Sequence, residues 1–231
     1  VISIDNQHMV DVAELGVPRK WIGFLETKIL NKILMIHARK YFAVSFFFPK
    51  KRKRNIWIGY PVIRKELKKL LTSSGSFVLV YQTSQSNHTL FKALKEIPEH
   101  FIVYGFDIIS QEGNISFKKF NESTFFHDLA NCKAVITNGG FSLISEALFL
   151  GKPILSFPVR RQYEQWVNAY YLKQLGYGEY YEEVKKEFIT HFLHRIKIYE
   201  RSLKKIKRFG DQSLLFQLDK ELEKIIKKTT Y

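Results

Sequence analysis

Between Phe77 and Phe157, short unbroken apolar runs alternate with stretches of helical spacing. That rhythm narrows the architecture more than any other feature of the chain. Phe77-Val78-Leu79-Val80-Tyr81, Phe101-Ile102-Val103-Tyr104-Gly105, Ala134-Val135-Ile136-Thr137 and Ile154-Leu155-Ser156-Phe157 read as strands buried on both faces, and Ile115 to Phe117 as a shorter one. Helices are expected at about Thr89–Ile97, at about Ser123–Asn131 and from the Gly139-Gly140 turn to Leu150. Strands alternating with helices of this length predict an α/β fold, a doubly wound parallel sheet. Ligands of such sheets lie outside the carboxyl ends of the strands, where the loops of this region fall.

The flanks read differently. Val1 to Ile4 is a strand ending in Asp5-Asn6-Gln7-His8, and Trp21 to Ala38 is a helix with Ile22, Leu25, Ile29, Ile33 and Ile36 on one face. Tyr41 to Phe48 is a further strand, closed by Pro49 and by Lys50-Lys51-Arg52-Lys53-Arg54. Thr72-Ser73-Ser74-Gly75-Ser76 is the clearest linker signal. Three regions are therefore expected: 1–70, 71–181, and a helical basic tail over 182–231. The first carries 15 Lys and Arg against 5 Asp and Glu, the second 9 against 9, and the third 13 against 8. An electrically balanced middle argues against a nucleic-acid groove, which would place cations along the core as well. Basic flanks suit an anionic lipid surface, or are simply solvated. A single cysteine, Cys132, excludes an intrachain disulfide and points to a reducing, cytoplasmic compartment. No apolar run approaches the ~20 residues that span a bilayer. The opening at Val1, with a strand already under way, suggests a piece of a longer protein.

Chemistry concentrates in Ala134-Val135-Ile136-Thr137-Asn138-Gly139-Gly140-Phe141-Ser142-Leu143-Ile144-Ser145-Glu146. A buried strand runs through two glycines directly into a helix. Glycines admit close backbone approach, and free N–H groups at a helix N-terminus favour a phosphate. Asn138 and Ser142 add donors there. Glu146, one to two turns on, is placed for ribose hydroxyls and needs no protein partner in that role. The other reading is a strand–turn–helix that needs glycine for sterics alone. There is no Asp-x-Asp pair for a metal-bridged diphosphate, no Gly-x-x-x-x-Gly-Lys-Ser/Thr loop, and no Ser-His-Asp constellation.

Gly151-Lys152-Pro153, the strand after it, Pro158, Glu164-Gln165-Trp166-Val167-Asn168-Ala169 and Gly176-Tyr177-Gly178 then extend the pattern. Over roughly residues 115–178 the order and spacing resemble the C-terminal, donor-binding half of GT-B glycosyltransferases of family 28 and their family 1 relatives. The resemblance implies that Gly139, Gly140, Phe141 and Ser142 form the diphosphate turn, with Asn138 standing where many family 1 members have a phosphate-contacting His. It implies that Glu146 binds ribose, that Glu164 and Gln165 hold donor-sugar hydroxyls, and that the loop Phe120-Asn121-Glu122 cradles the base. Gln82-Thr83-Ser84-Gln85-Ser86 replaces the family's glycine-rich first loop. Ile2 to His8 resembles the end of the acceptor domain in a bacterial and archaeal branch, and Phe46 to Pro49 with Trp57 to Arg64 the crossover between domains. Most of the N-terminal domain would then be missing.

The activity so implied is transfer of a sugar from a nucleoside-diphosphate sugar to an acceptor hydroxyl, inverting and independent of metal or other cofactor. Asp5 and His8, at a strand's carboxyl end, are candidates for the general base, or are only loop hydrogen-bonders. A donor-binding subunit working with a separate acceptor subunit is an alternative, as is a nucleotide-sugar hydrolase or epimerase on the same fold. Expected partners are a nucleotide sugar, a carbohydrate or lipid-linked acceptor, and an anionic membrane surface at the inner face of the cytoplasmic membrane. Phe46-Phe47-Phe48 beside the basic run would supply aromatic wedges for that surface, or would be core.

Overall fold

The computed structural model describes all residues except 1, 7–8, 18–22, 35–39, 53–54, 83–87, 207–211 and 230–231. In chain order the elements are β1 (Ile2–Asp5), α1 (Met9–Val12), β2 (Ala13–Glu14), α2 (Phe24–Leu34), β3 (Lys40–Val44), β4 (Lys50–Lys51), β5 (Ile56–Gly59) and α3 (Lys65–Lys68). Then come β6 (Phe77–Tyr81), α4 (His88–Lys95), β7 (His100–Tyr104), β8 (Ser110–Glu112), β9 (Ile115–Phe117), α5 (Glu122–Asn131), β10 (Ala134–Thr137) and α6 (Phe141–Phe149). The chain closes with β11 (Ile154–Ser156), α7 (Tyr163–Gln174), β12 (Gly178–Tyr180), α8 (Lys186–His194), α9 (Ile196–Leu203) and α10 (Gln212–Thr229).

The chain divides into two compact units. Unit 1 comprises Val1–Pro18, Leu25–Ile63 and Arg208–Tyr231, and unit 2 comprises Arg19–Phe24 and Arg64–Lys207. Neither boundary expected from the sequence falls at an edge of these units. The Thr72–Ser76 segment lies inside unit 2, because its backbone is already in use: Gly75 N–H donates to Asn131 O at 2.8 Å. The Ser73 carbonyl also accepts from the buried Lys152 ammonium at 2.5 Å. The tail divides as well. Ile189, Phe192, Ile196 and Tyr199 of α8 and α9 join the core of unit 2, whereas α10 belongs to unit 1.

Unit 2 is built on a seven-stranded sheet of order β12-β11-β10-β6-β7-β9-β8. Every pairing is parallel except that of the hairpin strand β8 with β9. Side chains alternate between its faces. Val78, Val80, Phe101, Val103, Ala134, Ile136 and Leu155 pack with Leu90 and Leu94 of α4 and with α8 and α9. Leu79, Val135 and Ile154, facing the other way, are likewise fully buried. Both faces are covered, which is why the strands read as unbroken apolar runs.

Unit 1 holds a parallel three-stranded sheet of order β1-β3-β5 and an antiparallel pair, β2 with β4. Phe46 and Phe47 are core residues, 4% and 2% exposed, so of the three consecutive phenylalanines only Phe48 is exposed. The periodicity on α2 is as the sequence indicates, but the stripe does not face a core: Leu25, Ile29 and Ile33 are 68%, 52% and 66% exposed. The buried side of α2 instead carries Asn31, whose amide donates to Asp11 Oδ2 at 2.6 Å. Ile22 and Ile36 lie outside the described residues. Among the described residues, no helix is long and apolar enough to cross a membrane.

Candidate functional site

In the large sheet the chain runs β6, β7, β9 in one direction and returns to β10, β11, β12 on the other side of β6. The order therefore reverses between β6 and β10, and the crevice outside their carboxyl ends is where open α/β sheets take a ligand. The registers Tyr81↔Thr137 and Thr137↔Ser156 bring Gln82, Asn138 and Ser156 to this rim from three adjacent strands. All three are buried, and their side chains are unsatisfied. Neither polar atom of the Gln82 amide, nor Asn138 Oδ1, nor Ser156 Oγ has a hydrogen-bond partner among the described residues. Buried polar groups nearly always find partners, so orphans clustered at one rim indicate a place where a polar ligand completes them.

The turn at the end of β10 is shaped for close approach. Gly139 has φ +100°, and a Cβ there would lie 2.9 Å from the Gln165 carbonyl oxygen and 3.0 Å from Ser156 Oγ. No other residue fits without moving α7. The Gly139 carbonyl is held by the buried Asn168 amide at 3.2 Å, a role the Gln-x-x-Asn-Ala pattern carries without announcing it. Gly140 is the N-cap of α6 and offers no capping side chain. A Cβ at Gly140 would meet nothing within 4 Å. This nine-residue helix thus begins without a side-chain cap, and Ser142 in its first turn is exposed.

Glu146, one turn further along α6, is 5% exposed. It has a partner that sequence reasoning missed. Arg64 donates from Nε to Glu146 Oε1 at 2.7 Å and from Nη2 to Oε2 at 3.0 Å. Its Nη1 bonds Glu122 Oε1 at 2.7 Å, and the guanidinium lies 4.5 Å above the Phe126 ring. These bonds hold the Arg64 pKa above its ordinary value. Burying a carboxylate alone is costly, so an ion-paired Glu146 is the physically expected state. The expectation that Glu146 needs no protein partner is thereby corrected.

The remaining candidates fall as follows. Gln165 on α7 accepts the Val159 N–H at 3.1 Å through Oε1, and its Nε2 donates to Gln162 at 3.3 Å. Glu164, beside it on the first turn of α7, is half-buried. Phe120 is 48% exposed and packs on Phe125 with the two rings tilted at 44°, while Asn121 caps α5 by accepting the Thr124 N–H at 3.1 Å. Asp5 belongs to unit 1, ends β1 and accepts the Ser3 hydroxyl at 2.6 Å. His8 lies outside the described residues. His127 is a surface helix residue, 73% exposed. Burial pushes the Cys132 thiol up to about 12, as expected of a buried small hydrophobe. Among the described residues, no group of three His, Cys, Asp or Glu is placed to hold a metal ion.

This Rossmann-like sheet, with a Gly-Gly helix entrance at its switch point, is shared with GT-B glycosyltransferases. The comparisons agree. A family model described as glycosyl transferase family 1 matches residues 1–197, and the chain belongs to that family. Two relatives, each described as an uncharacterized glycosyltransferase, come from Methanosarcina acetivorans and Methanosarcina mazei. The first is 28% identical over 151 residues, covering 58% of this chain and 38% of the relative. The second is 33% identical over 122 residues, covering 52% and 27%. The chain thus spans well under half of the relatives it matches. Among solved structures, Phytolacca americana UGT2, complexed with UDP-2-fluoroglucose and pterostilbene, is similar with a TM-score of 0.63. It is 14% identical, with 91% of this chain and 59% of that one covered. The kitacinnamycin glycosyltransferase gives 0.56 at 15% identity, with 80% and 55% covered. VinC in complex with dTDP gives 0.51 at 14% identity, with 71% and 46% covered.

Proposed function

We propose that unit 2 binds the nucleoside-diphosphate sugar of a glycosyltransferase that passes the sugar to an acceptor hydroxyl. The observation that carries this reading is the uncapped N-terminus of α6, opening at the switch point beside the unsatisfied Asn138 and Gln82 side chains. A diphosphate there completes the N–H groups of α6 and gains from the helix dipole. Two of the similar structures hold a nucleotide sugar analogue and a nucleoside diphosphate. Glu146 takes the ribose, Glu164 with Gln165 the sugar hydroxyls, and the Phe120–Glu122 loop the base.

The acceptor oxygen displaces the nucleoside diphosphate from the anomeric carbon in one step, which inverts configuration. Its proton passes to a general base on the acceptor side, for which Asp5 and His8 are the candidates. Charge developing on the leaving diphosphate is stabilised by the helix N-terminus and fixed amides, so no metal is needed. A carbohydrate or lipid-linked acceptor, reached at an anionic membrane surface through Lys50 to Arg54, is the partner this chemistry suits.

Calorimetry with UDP, GDP and dTDP tests the donor site. One of them binds the 231-residue chain, and Glu146→Ala weakens that binding by about 1.5–3 kcal/mol through loss of charge-assisted hydrogen bonds. No binding by any nucleotide refutes the reading. Product analysis of the active enzyme with and without acceptor separates transfer from hydrolysis. Activity that is lost in excess EDTA and restored by added metal contradicts metal independence.

A further inference from the structure

Between β11 and α7 the chain makes a turn whose two central residues are both arginines. The Gln162 N–H closes it on the Val159 carbonyl at 3.1 Å, with Arg160 and Arg161 between them. Of the two, only Arg161 has a positive φ, +68°. In a turn of this kind glycine or asparagine is the usual residue at that position, and a long side chain there is strained. Strain of this sort gathers where a ligand is bound. The surroundings hold the turn in place. Val159 N–H donates to Gln165 Oε1 at 3.1 Å, the same amide donates to Gln162 Oε1 at 3.3 Å, and the Arg161 carbonyl packs so closely on Gly23 that a Cβ has no room there.

The sheet sets where this turn lies. β11 pairs with β10 in the register Thr137↔Ser156, so the arginines follow the carboxyl end of one strand as Gly139-Gly140 follow that of its neighbour. The two turns are close: a Cβ at Gly139 would lie 2.9 Å from the carbonyl of Gln165, the residue whose side chain holds the arginine turn. Arg160 and Arg161 are both exposed, and among the described residues neither guanidinium has an ion pair or a side-chain hydrogen bond. Arg64, by contrast, is held by two carboxylates. Glu164, in the first turn of α7, offsets part of this positive charge but not all of it. The diphosphate is already provided for by the N-terminus of α6, so these cations call for a further anionic group. A planar guanidinium matches a carboxylate through two parallel hydrogen bonds, and a neutral hexose offers nothing of that strength.

We propose that Arg160 and Arg161 are specificity-determining residues for the donor's sugar, and that this sugar carries a carboxylate, as a hexuronate does. The proposal rests on the donor-site reading above. The arginines bind the sugar and take no part in breaking its bond to the diphosphate. Removing them leaves nucleotide binding in place and abolishes the preference for an acidic sugar.

The test is calorimetry on the 231-residue chain with UDP, GDP and dTDP, each alone, as the diphosphate glucose and as the diphosphate glucuronate. The two sugars differ only in oxidation at C6. Wild type binds the glucuronate form of its preferred nucleotide about tenfold or more tightly than the glucose form, the worth of one charge-assisted hydrogen bond. Arg160→Gln combined with Arg161→Gln brings that ratio to about one and leaves affinity for the nucleoside diphosphate unchanged. Arg161→Gly, which suits the positive φ, lowers the ratio while the melting temperature holds or rises. Equal loss of affinity for all three ligands in the double variant overturns the proposal, since the arginines then serve the diphosphate. A lower melting temperature in Arg161→Gly with the ratio intact overturns it too, since the side chain is then structural. If no nucleoside diphosphate binds wild type, the donor-site reading falls and takes this inference with it. If one binds but wild type does not prefer the glucuronate form, only this inference falls.

Discussion

Unit 2 turns its apolar residues inward on both faces of a seven-stranded sheet, whereas unit 1 leaves an apolar stripe on α2 in solvent. The same residue types, at spacings equally legible in the sequence, have opposite fates. Burial in unit 2 follows from strands that are apolar on every residue and have helices on both sides. In unit 1 the periodicity of α2 is real, but nothing in periodicity says which face meets a partner. Substitutions in the two units should therefore differ sharply in cost. The largest effect is expected at Phe101, fully buried in the unit 2 core. Phe101→Ala removes about 3–5 kcal/mol of stability, read as a lowered denaturation midpoint in urea. A loss below 1 kcal/mol would mean that this core is not the organising one.

The second effect belongs to the rim of unit 2 rather than its core. Gly139→Ala places a side chain at φ +100° against the Gln165 carbonyl and Ser156. Strain of this kind costs about 1–3 kcal/mol. The matching Gly140→Ala meets open space and a φ of −62°, so it leaves stability nearly unchanged while intruding on the proposed phosphate. The pair separates fold from site. Gly139→Ala lowers the melting temperature, and Gly140→Ala lowers nucleotide affinity alone. Equal effects on both measures would undo the distinction.

These two glycines also show how far the sequence could be read. Five strands of the large sheet, the turn and the helix that opens from it were all legible, because each depends on local pattern: unbroken apolar runs, Gly-Gly, and the spacing to Glu146. Arg64 was not, although it stands at the end of a recognisable crossover. Its role depends on Glu122 and Glu146, 58 and 82 residues away, and no local rule carries that distance. Gln82 was visible as the first residue of the polar loop that stands in for the family's glycine-rich one. That it is fully buried with an unsatisfied amide is a property of the packed sheet. The division of the tail between the two units likewise depends on which distant core each helix covers. Its amphipathic helices identify themselves, but not their partners.

A third, smaller effect tests a polar contact buried in unit 2. The Tyr104 hydroxyl donates to Asp128 Oδ2 at 2.7 Å, and Lys118 reaches the same oxygen at 2.6 Å. Burial, followed by the hydrogen bond to Asp128 and its charge, pushes the Tyr104 pKa well above 10.0. The folded state then keeps this proton after the unfolded state has begun to lose it. The contribution is fully present below pH 10 and declines as pH rises beyond it. Tyr104→Phe should cost about 1 kcal/mol at pH 8. The gap to wild type should narrow in thermal melts from pH 9.5 to 11. A gap that widens with pH would give the shift the opposite sign.

The smallest effect is expected where unit 1 is most apolar on its surface. Ile29 and Ile33 are more than half exposed on α2, one turn apart. Replacing either by Gln removes little buried area and keeps a good helix former, so stability should change by no more than about 0.5 kcal/mol. Ile136→Ala in unit 2, at a position with no exposure, should cost about 2–5 kcal/mol. The chemistry removed is similar, and only the surroundings differ. Ile29→Gln with Ile33→Gln should also raise solubility, because an apolar stripe along a helix favours self-association. Concentration-dependent sedimentation reads that change directly. A loss of 2 kcal/mol or more in the double variant at low protein concentration would show that the stripe is buried in solution and that the contrast between the units is false.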